Sequence, residues 1–212
     1  MTAAGLEAAG HALLGAATPV AGSDAYLFTG RLSLQTHPWL SEYAIAGEAV
    51  LPGGAFVELA LRVGDEAGCE HLVELTPHEP LVVPTRGAVR FQVVLEAADE
   101  NGRRSFTVSS HAGLTGEDSL WIRHATGVLD VAAPEPEFSL AEWPPAGAEH
   151  FEAAAAYSEL ETAGVECGPL FRGLREVWRR GDEVFADVRL PEDTDARGFS
   201  LHPALLESAA QL

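Results

Sequence analysis

A chain of 212 residues with 47% hydrophobic content can bury one good core or two small ones, and no stretch is simple enough in composition for wholesale disorder. A net charge of -19 at pH 7, with all 13 basic residues arginine and scattered, leaves no stripe to track phosphates, so nucleic acid and anionic membrane surfaces are poor partners. Cys69 and Cys167, the only cysteines, lie far apart with neither zinc nor redox spacing; no metal is expected, and a reducing cytoplasm is the natural compartment.

Asp24 to Gln35 places Tyr26, Phe28, Gly30, Leu32 and Leu34 on one side, the two-residue period of a half-buried strand. After a turn at His37-Pro38-Trp39, a second extended piece leads to Pro52. From Gly53 to Glu66 the period changes: Phe56, Leu59, Ala60 and Val63 recur at three and four, as on one face of a central helix. Leu72 to Pro84, Val89 to Ala97, Ser105 to Ala112 and Ser119 to Val131 read as strands, with Asn101-Gly102 as a hairpin turn. One helix and a long antiparallel meander predict a sheet wrapped around a single buried helix, a hot-dog arrangement, because the helix has no second helix to pack against.

Residues 132–149 hold Pro134, Pro136, Pro144 and Pro145 among acidic and small residues and read as a linker. A short helix from Phe151 to Ala163 then precedes Gly164-Val165-Glu166-Cys167-Gly168-Pro169. Two strands follow, Gly173 to Arg180 and Glu183 to Leu190, turning at Gly181-Asp182. A second apolar helix starts after His202-Pro203 and is expected to be still running at Leu212. The expected fold is α+β: an N-terminal hot dog over residues 1–131, a linker over 132–149, and an incomplete C-terminal hot dog over 150–212, as in a fragment, at an artificial boundary or in a truncated gene. No basic n-region and apolar core mark a targeting signal, and no apolar run approaches the ~20 residues of a membrane span.

Between Tyr43 and Pro52 the sequence reads Tyr-Ala-Ile-Ala-Gly-Glu-Ala-Val-Leu-Pro, followed by Gly53 and Gly54. With Gly47 and Pro52 at the right spacing, this resembles the His-x3-Gly-x4-Pro signature of the dehydratase domains of modular type I polyketide synthases, with Tyr43 standing where the family has its catalytic histidine. His37-Pro38-Trp39-Leu40, Trp121-Ile122-Arg123-His124-Ala125, Gly168-Pro169-Leu170-Phe171-Arg172-Gly173-Leu174 and Leu201-His202-Pro203-Ala204-Leu205-Leu206 resemble the same family in order and spacing, from about Gly10 to the last residue.

The resemblance implies a double hot-dog fold inside a multidomain synthase. It also implies loss of water from a 3-hydroxyacyl chain carried, without further cofactor, on the phosphopantetheine of an acyl carrier protein. Neighbouring synthase domains and a homodimer are the other implied partners. In that reaction a base takes the Cα proton while an acid helps the β-hydroxyl leave. The family uses a histidine for the first and an aspartate on the second helix for the second. Here Tyr43 and Glu207 take those places, and Gln211 keeps a supporting position one turn beyond Glu207. Backbone N–H groups at the start of the first helix, Gly53 foremost, polarise the thioester carbonyl. The family pattern Gly-Tyr-x-Tyr-Gly-Pro lines the substrate channel; here Cys167, Gly168 and Pro169 end that segment, and its tyrosines are gone.

An unperturbed tyrosine is ionised about one part in a thousand at pH 7, so reaching the phenolate costs roughly 4 kcal/mol. Glutamate for aspartate adds a methylene, and misplacing a catalytic group by about 1 Å can cost about 100-fold. Together the changes predict an impaired or inactive dehydratase domain kept for structure. The alternatives are an enzyme of altered chemistry using Glu207, such as a slow dehydratase, isomerase or cyclase, and a module that binds the acyl carrier protein. His37 and His202, each before a proline, read as structural. The acidic residues read as a solvated surface.

Overall fold

The computed structural model describes residues 6–111, 120–135 and 138–212. Ala112, Ser119 and Pro136, expected in two strands and the linker, lie outside the described residues.

The strands are β1 (Glu7–Ala8), β2 (Leu14–Pro19), β3 (Tyr26–Leu32), β4 (Tyr43–Ile45), β5 (Glu48–Ala49), β6 (His71–Pro77), β7 (Val89–Leu95), β8 (Arg104–His111), β9 (Trp121–Asp130), β10 (Glu149–Phe151), β11 (Val165–Cys167), β12 (Leu174–Arg180) and β13 (Glu183–Val188). The helices are α1 (Gly53–Ala67), α2 (Ala154–Thr162) and α3 (Pro203–Ala209), with 3-10 turns at Pro38–Glu42 and Pro169–Phe171. Seven strands form one antiparallel sheet in the order β1-β2-β3-β7-β8-β9-β6. Its inner face supplies Phe28, Leu32, Phe91, Val93, Leu95, Phe106, Val108 and Leu129, which pack around α1 residues Phe56, Leu59, Ala60 and Val63. Each buried Val, Leu or Phe among them stabilises the fold by about 1.5–3 kcal/mol through burial alone. The helix-in-sheet arrangement expected for the first half is present.

The ladder departs from strict alternation at His124. Val108 pairs with Ala125 and Ser109 with Arg123, so His124 is the extra residue of a bulge. The bulge turns its ring inward, where the two nitrogens bond Ser110 Oγ and the Glu79 carbonyl, both at 2.7 Å. The strand expected to reach Pro84 stops at Pro77, since Pro77, Pro80 and Pro84 have no N–H to give a ladder. Beyond Pro77 the N–H groups of His78 and Glu79 still reach the His124 and Arg123 carbonyls of β9, and Val82 turns to an isolated bridge with Val50.

The two halves are built into each other. β11, from the second half, joins the β4–β5 hairpin in a three-stranded sheet, with Cys167 opposite Tyr43. Contrary to expectation, α1 does have a helix to pack against: α3 crosses its start, so closely that a Cβ on Gly54 would lie 2.5 Å from the Pro203 carbonyl oxygen. α3 ends at Ala209, earlier than expected, and the Ala210 N–H caps back to Leu206 and Ser208. β10, β12 and β13 form a third sheet, and pairing with β12 puts Phe151, where the helix was expected to begin, into a strand, so that α2 starts at Ala154. Among the described residues, no helix is long and apolar enough to cross a membrane.

Candidate active site

Tyr43 is the first residue of β4, delivered by the 3-10 turn that Pro38 opens. Its ring is 9% exposed and lies 5.0 Å from that of Phe171, in a small apolar cluster with Val50, Cys167, Leu170 and Ala204 between the halves. From this cluster the phenol points at α3 and donates to Glu207 Oε1 at 2.7 Å. Glu207 Oε2 accepts from the backbone N–H of Gly54 at 3.0 Å. Gly54 is the second residue of α1, so its N–H has no acceptor inside the helix, and the positive end of the helix dipole favours a carboxylate there.

Both carboxylate oxygens are therefore engaged by donors of the protein itself. Burial first, then the bond to Glu207, pushes the Tyr43 phenol well above its ordinary pKa. The Cys167 thiol is pushed up by burial, which keeps it protonated and unreactive at neutral pH.

The structure brings some of the expected site residues together and sets others apart. Tyr43, Glu207 and Cys167 come together, and Pro52 stands buried at the N-cap of α1. Gly53 is exposed; the amide that meets the carboxylate belongs to Gly54. Gly47 is the turn residue of the β4–β5 hairpin, at φ 82, with Ala46 before it at φ 51. Gly168 donates to the Glu42 carbonyl at 2.7 Å, and Pro169 opens the turn that the Glu42 carboxylate caps through Leu170 N–H. Gln211 stands beyond the end of α3 and no bond to Glu207 is among those described. Its amide nitrogen donates instead to the Phe171 carbonyl at 3.3 Å and approaches Cys167 Sγ at 3.5 Å. Its buried Oε1 has no partner among the described residues.

His37 and His202 are held by the backbone. His37 bonds the Ala12 carbonyl, and His202 Nδ1 accepts from Ala204 N–H as the cap of α3. Among the described residues, no group of three or more His, Cys, Asp or Glu side chains is placed to hold a metal. Among the described residues, surface clefts of about 340 to 870 Å³ open elsewhere, one of them lined by Cys167 and Gly168, and neither Tyr43 nor Glu207 lines these clefts. Gly54, whose N–H meets the carboxylate, and the buried Glu58 were not singled out from the sequence. Glu58 left a signal, a carboxylate set within the apolar face of α1.

Known proteins show the same build. Residues 11–111 match the family described as polyketide synthase dehydratase domain, and residues 135–212 match the polyketide synthase dehydratase N-terminal domain. The pikromycin polyketide synthase component PikAII of Streptomyces venezuelae is 53% identical over 220 residues, which take in 100% of this chain and only 6% of that protein. The crystal structure of the dehydratase domain from the terminal module of the rifamycin polyketide synthase is 44% identical with a TM-score of 0.89, covering 99% of this chain and 76% of that one. The bifunctional dehydratase-cyclase domain of ambruticin biosynthesis is 43% identical with a TM-score of 0.86, covering 98% and 76%. With these matches across both halves, the chain belongs to the dehydratase-domain family of modular type I polyketide synthases and has its double hot-dog fold.

Proposed function

We propose that this domain is a dehydratase whose site has closed on itself, retained as a structural part of a polyketide synthase module whose product keeps its β-hydroxyl. One observation carries the reading: the unbroken chain from the Tyr43 hydroxyl through the Glu207 carboxylate to the Gly54 N–H. The family reaction requires a base for the Cα proton, an acid for the leaving hydroxyl and a donor for the thioester carbonyl. The phenol is a donor here, and its ionisation costs at least about 4 kcal/mol at pH 7 because burial adds to the unperturbed figure. The carboxylate is anchored at both oxygens. The helix-end N–H that suits a carbonyl is taken by that carboxylate, which the extra methylene of glutamate allows to reach it.

The same reading makes the partners an acyl carrier protein, the neighbouring synthase domains and a second copy of the domain. It takes the compartment to be the cytoplasm and adds no cofactor beyond the carrier's phosphopantetheine. The test is mass-spectrometric detection of water loss from a 3-hydroxyacyl pantetheine thioester. The natural sequence should give no more than its heat-killed control, whereas Tyr43→His with Glu207→Asp should turn over. Turnover by the natural sequence overturns the reading.

A second reading is favoured by the carboxylate kept at the helix end beside a phenol, and by the description of the ambruticin relative as bifunctional. Glu207 would then act as acid and base in isomerisation or cyclisation. Glu207→Gln should abolish any such activity; activity that survives it refutes this alternative.

A further inference from the structure

Glu58 is a carboxylate in the apolar face of α1 and is 0% exposed. Oε1 accepts from Ser200 N–H at 2.7 Å and from His11 Nε2 at 3.0 Å; Oε2 accepts from Leu201 N–H at 2.8 Å. The tautomer of His11 follows from its surroundings: Nδ1 accepts from Leu13 N–H, so Nε2 carries the proton given to Glu58. Phe199 packs edge-on against both His11 and His202, and Trp39 lies across Phe199 and His202, covering the bonded group with rings.

Three donors on one buried carboxylate leave it fully satisfied. Two of the donors are the backbone amides that lead directly into α3, whose cap is His202. On α1, Glu58 lies four residues after Gly54, about 6 Å along the axis, on the same face. The helix thus holds the segment 200–207 at two points, Glu58 at its start and Gly54 N–H at Glu207. Between them the backbones touch at Gly54 and Pro203. A slip of α3 by one turn, about 5.4 Å, would carry residue 207 out of reach of the start of α1.

We propose that Glu58 is a positioning residue that sets the register of α3 on α1, and so decides where the side chain at 207 meets the α1 N-terminus. This holds whether or not the domain dehydrates anything. The amide of Gly54 reports it directly, because its protection against hydrogen exchange comes from Glu207 and not from the helix.

In the 212-residue protein, exchange at Gly54 and at Val63, deeper in α1, is followed by NMR for the natural sequence, Glu207→Ala and Glu58→Gln. Glu207→Ala sets the full response of Gly54. In Glu58→Gln, an amide NH2 faces a donor at one of the bonded positions, and Gly54 should exchange at least about 10-fold faster while Val63 changes by less than about 3-fold. Glu58→Asp, which keeps the charge but shortens the reach, should show the same selectivity and serves if Glu58→Gln does not fold. A Gly54 rate that ignores Glu58, or that rises in step with Val63 as a merely destabilised fold would make it, overturns the proposal. Turnover by the natural sequence would overturn the closed-site reading and leave this one standing.

Discussion

The bond between Tyr43 and Glu207 is a hydrogen bond to a charged acceptor in a place only partly open to water, so it stabilises the fold more than a neutral pair would. Tyr43→Phe removes the donor and keeps the ring against Phe171. It should lower the unfolding free energy by about 1–2 kcal/mol in urea titrations with an unchanged m-value. The pair of changes that should reopen the site, Tyr43→His with Glu207→Asp, should cost about 2 kcal/mol while turnover appears, the usual opposition between stability and an unsatisfied reaction site. Gly54 has no room for a side chain, and Gly54→Ala should cost about 1–3 kcal/mol by forcing α3 away from α1. Tyr43 and Glu207 were both singled out by the family resemblance. Their mutual bond was not, because 164 residues of sequence separate them and only the α1–α3 crossing brings them within reach. The same crossing selects Gly54 over Gly53 as the donor.

Among elements, those that bury one face along a regular period were legible, and α1, β3, β7 and β8 fall within a few residues of expectation; β12 and β13 do so as well, marked by the turn at Gly181-Asp182. β1, β5, β10 and β11 have two or three residues each, too few to carry a period, and exist because a longer neighbour offers them a ladder. The β4–β5 turn shows what a short element requires. Ala46 and Gly47 both take positive φ, as a two-residue hairpin of this hand demands, and alanine is the strained member. Ala46→Gly should raise stability by about 0.5–1 kcal/mol in thermal or urea unfolding.

Over the whole molecule, buried titratable groups predict a stability plateau with two shoulders. Burial holds the His124 and His202 rings below their ordinary pKa, so their stabilisation is full above about pH 6.5 and is lost as the pH falls through their folded values. Burial holds the Tyr43 and Tyr157 phenols above theirs, so that contribution is full below about pH 10 and is lost at higher pH. The melting temperature should therefore be flat from about pH 7 to 9 and fall on both sides. His124→Gln should make the acid shoulder shallower; an equally steep shoulder would rule out His124 as its source.

The sequence by itself determined that a central helix would be wrapped by an antiparallel meander and which family this is, and it singled out Tyr43 and Glu207 as candidates. The helix and the meander are properties of period, which local burial imposes on neighbouring residues, whereas the family and the two candidates came from the resemblance of short motifs. Only the tertiary structure decided that α3 would lie on α1, that Glu58 would be buried under three donors, and that Glu207 would join the phenol to the helix-end amide. These contacts link distant stretches of chain, and no local period encodes which donor a distant carboxylate will find.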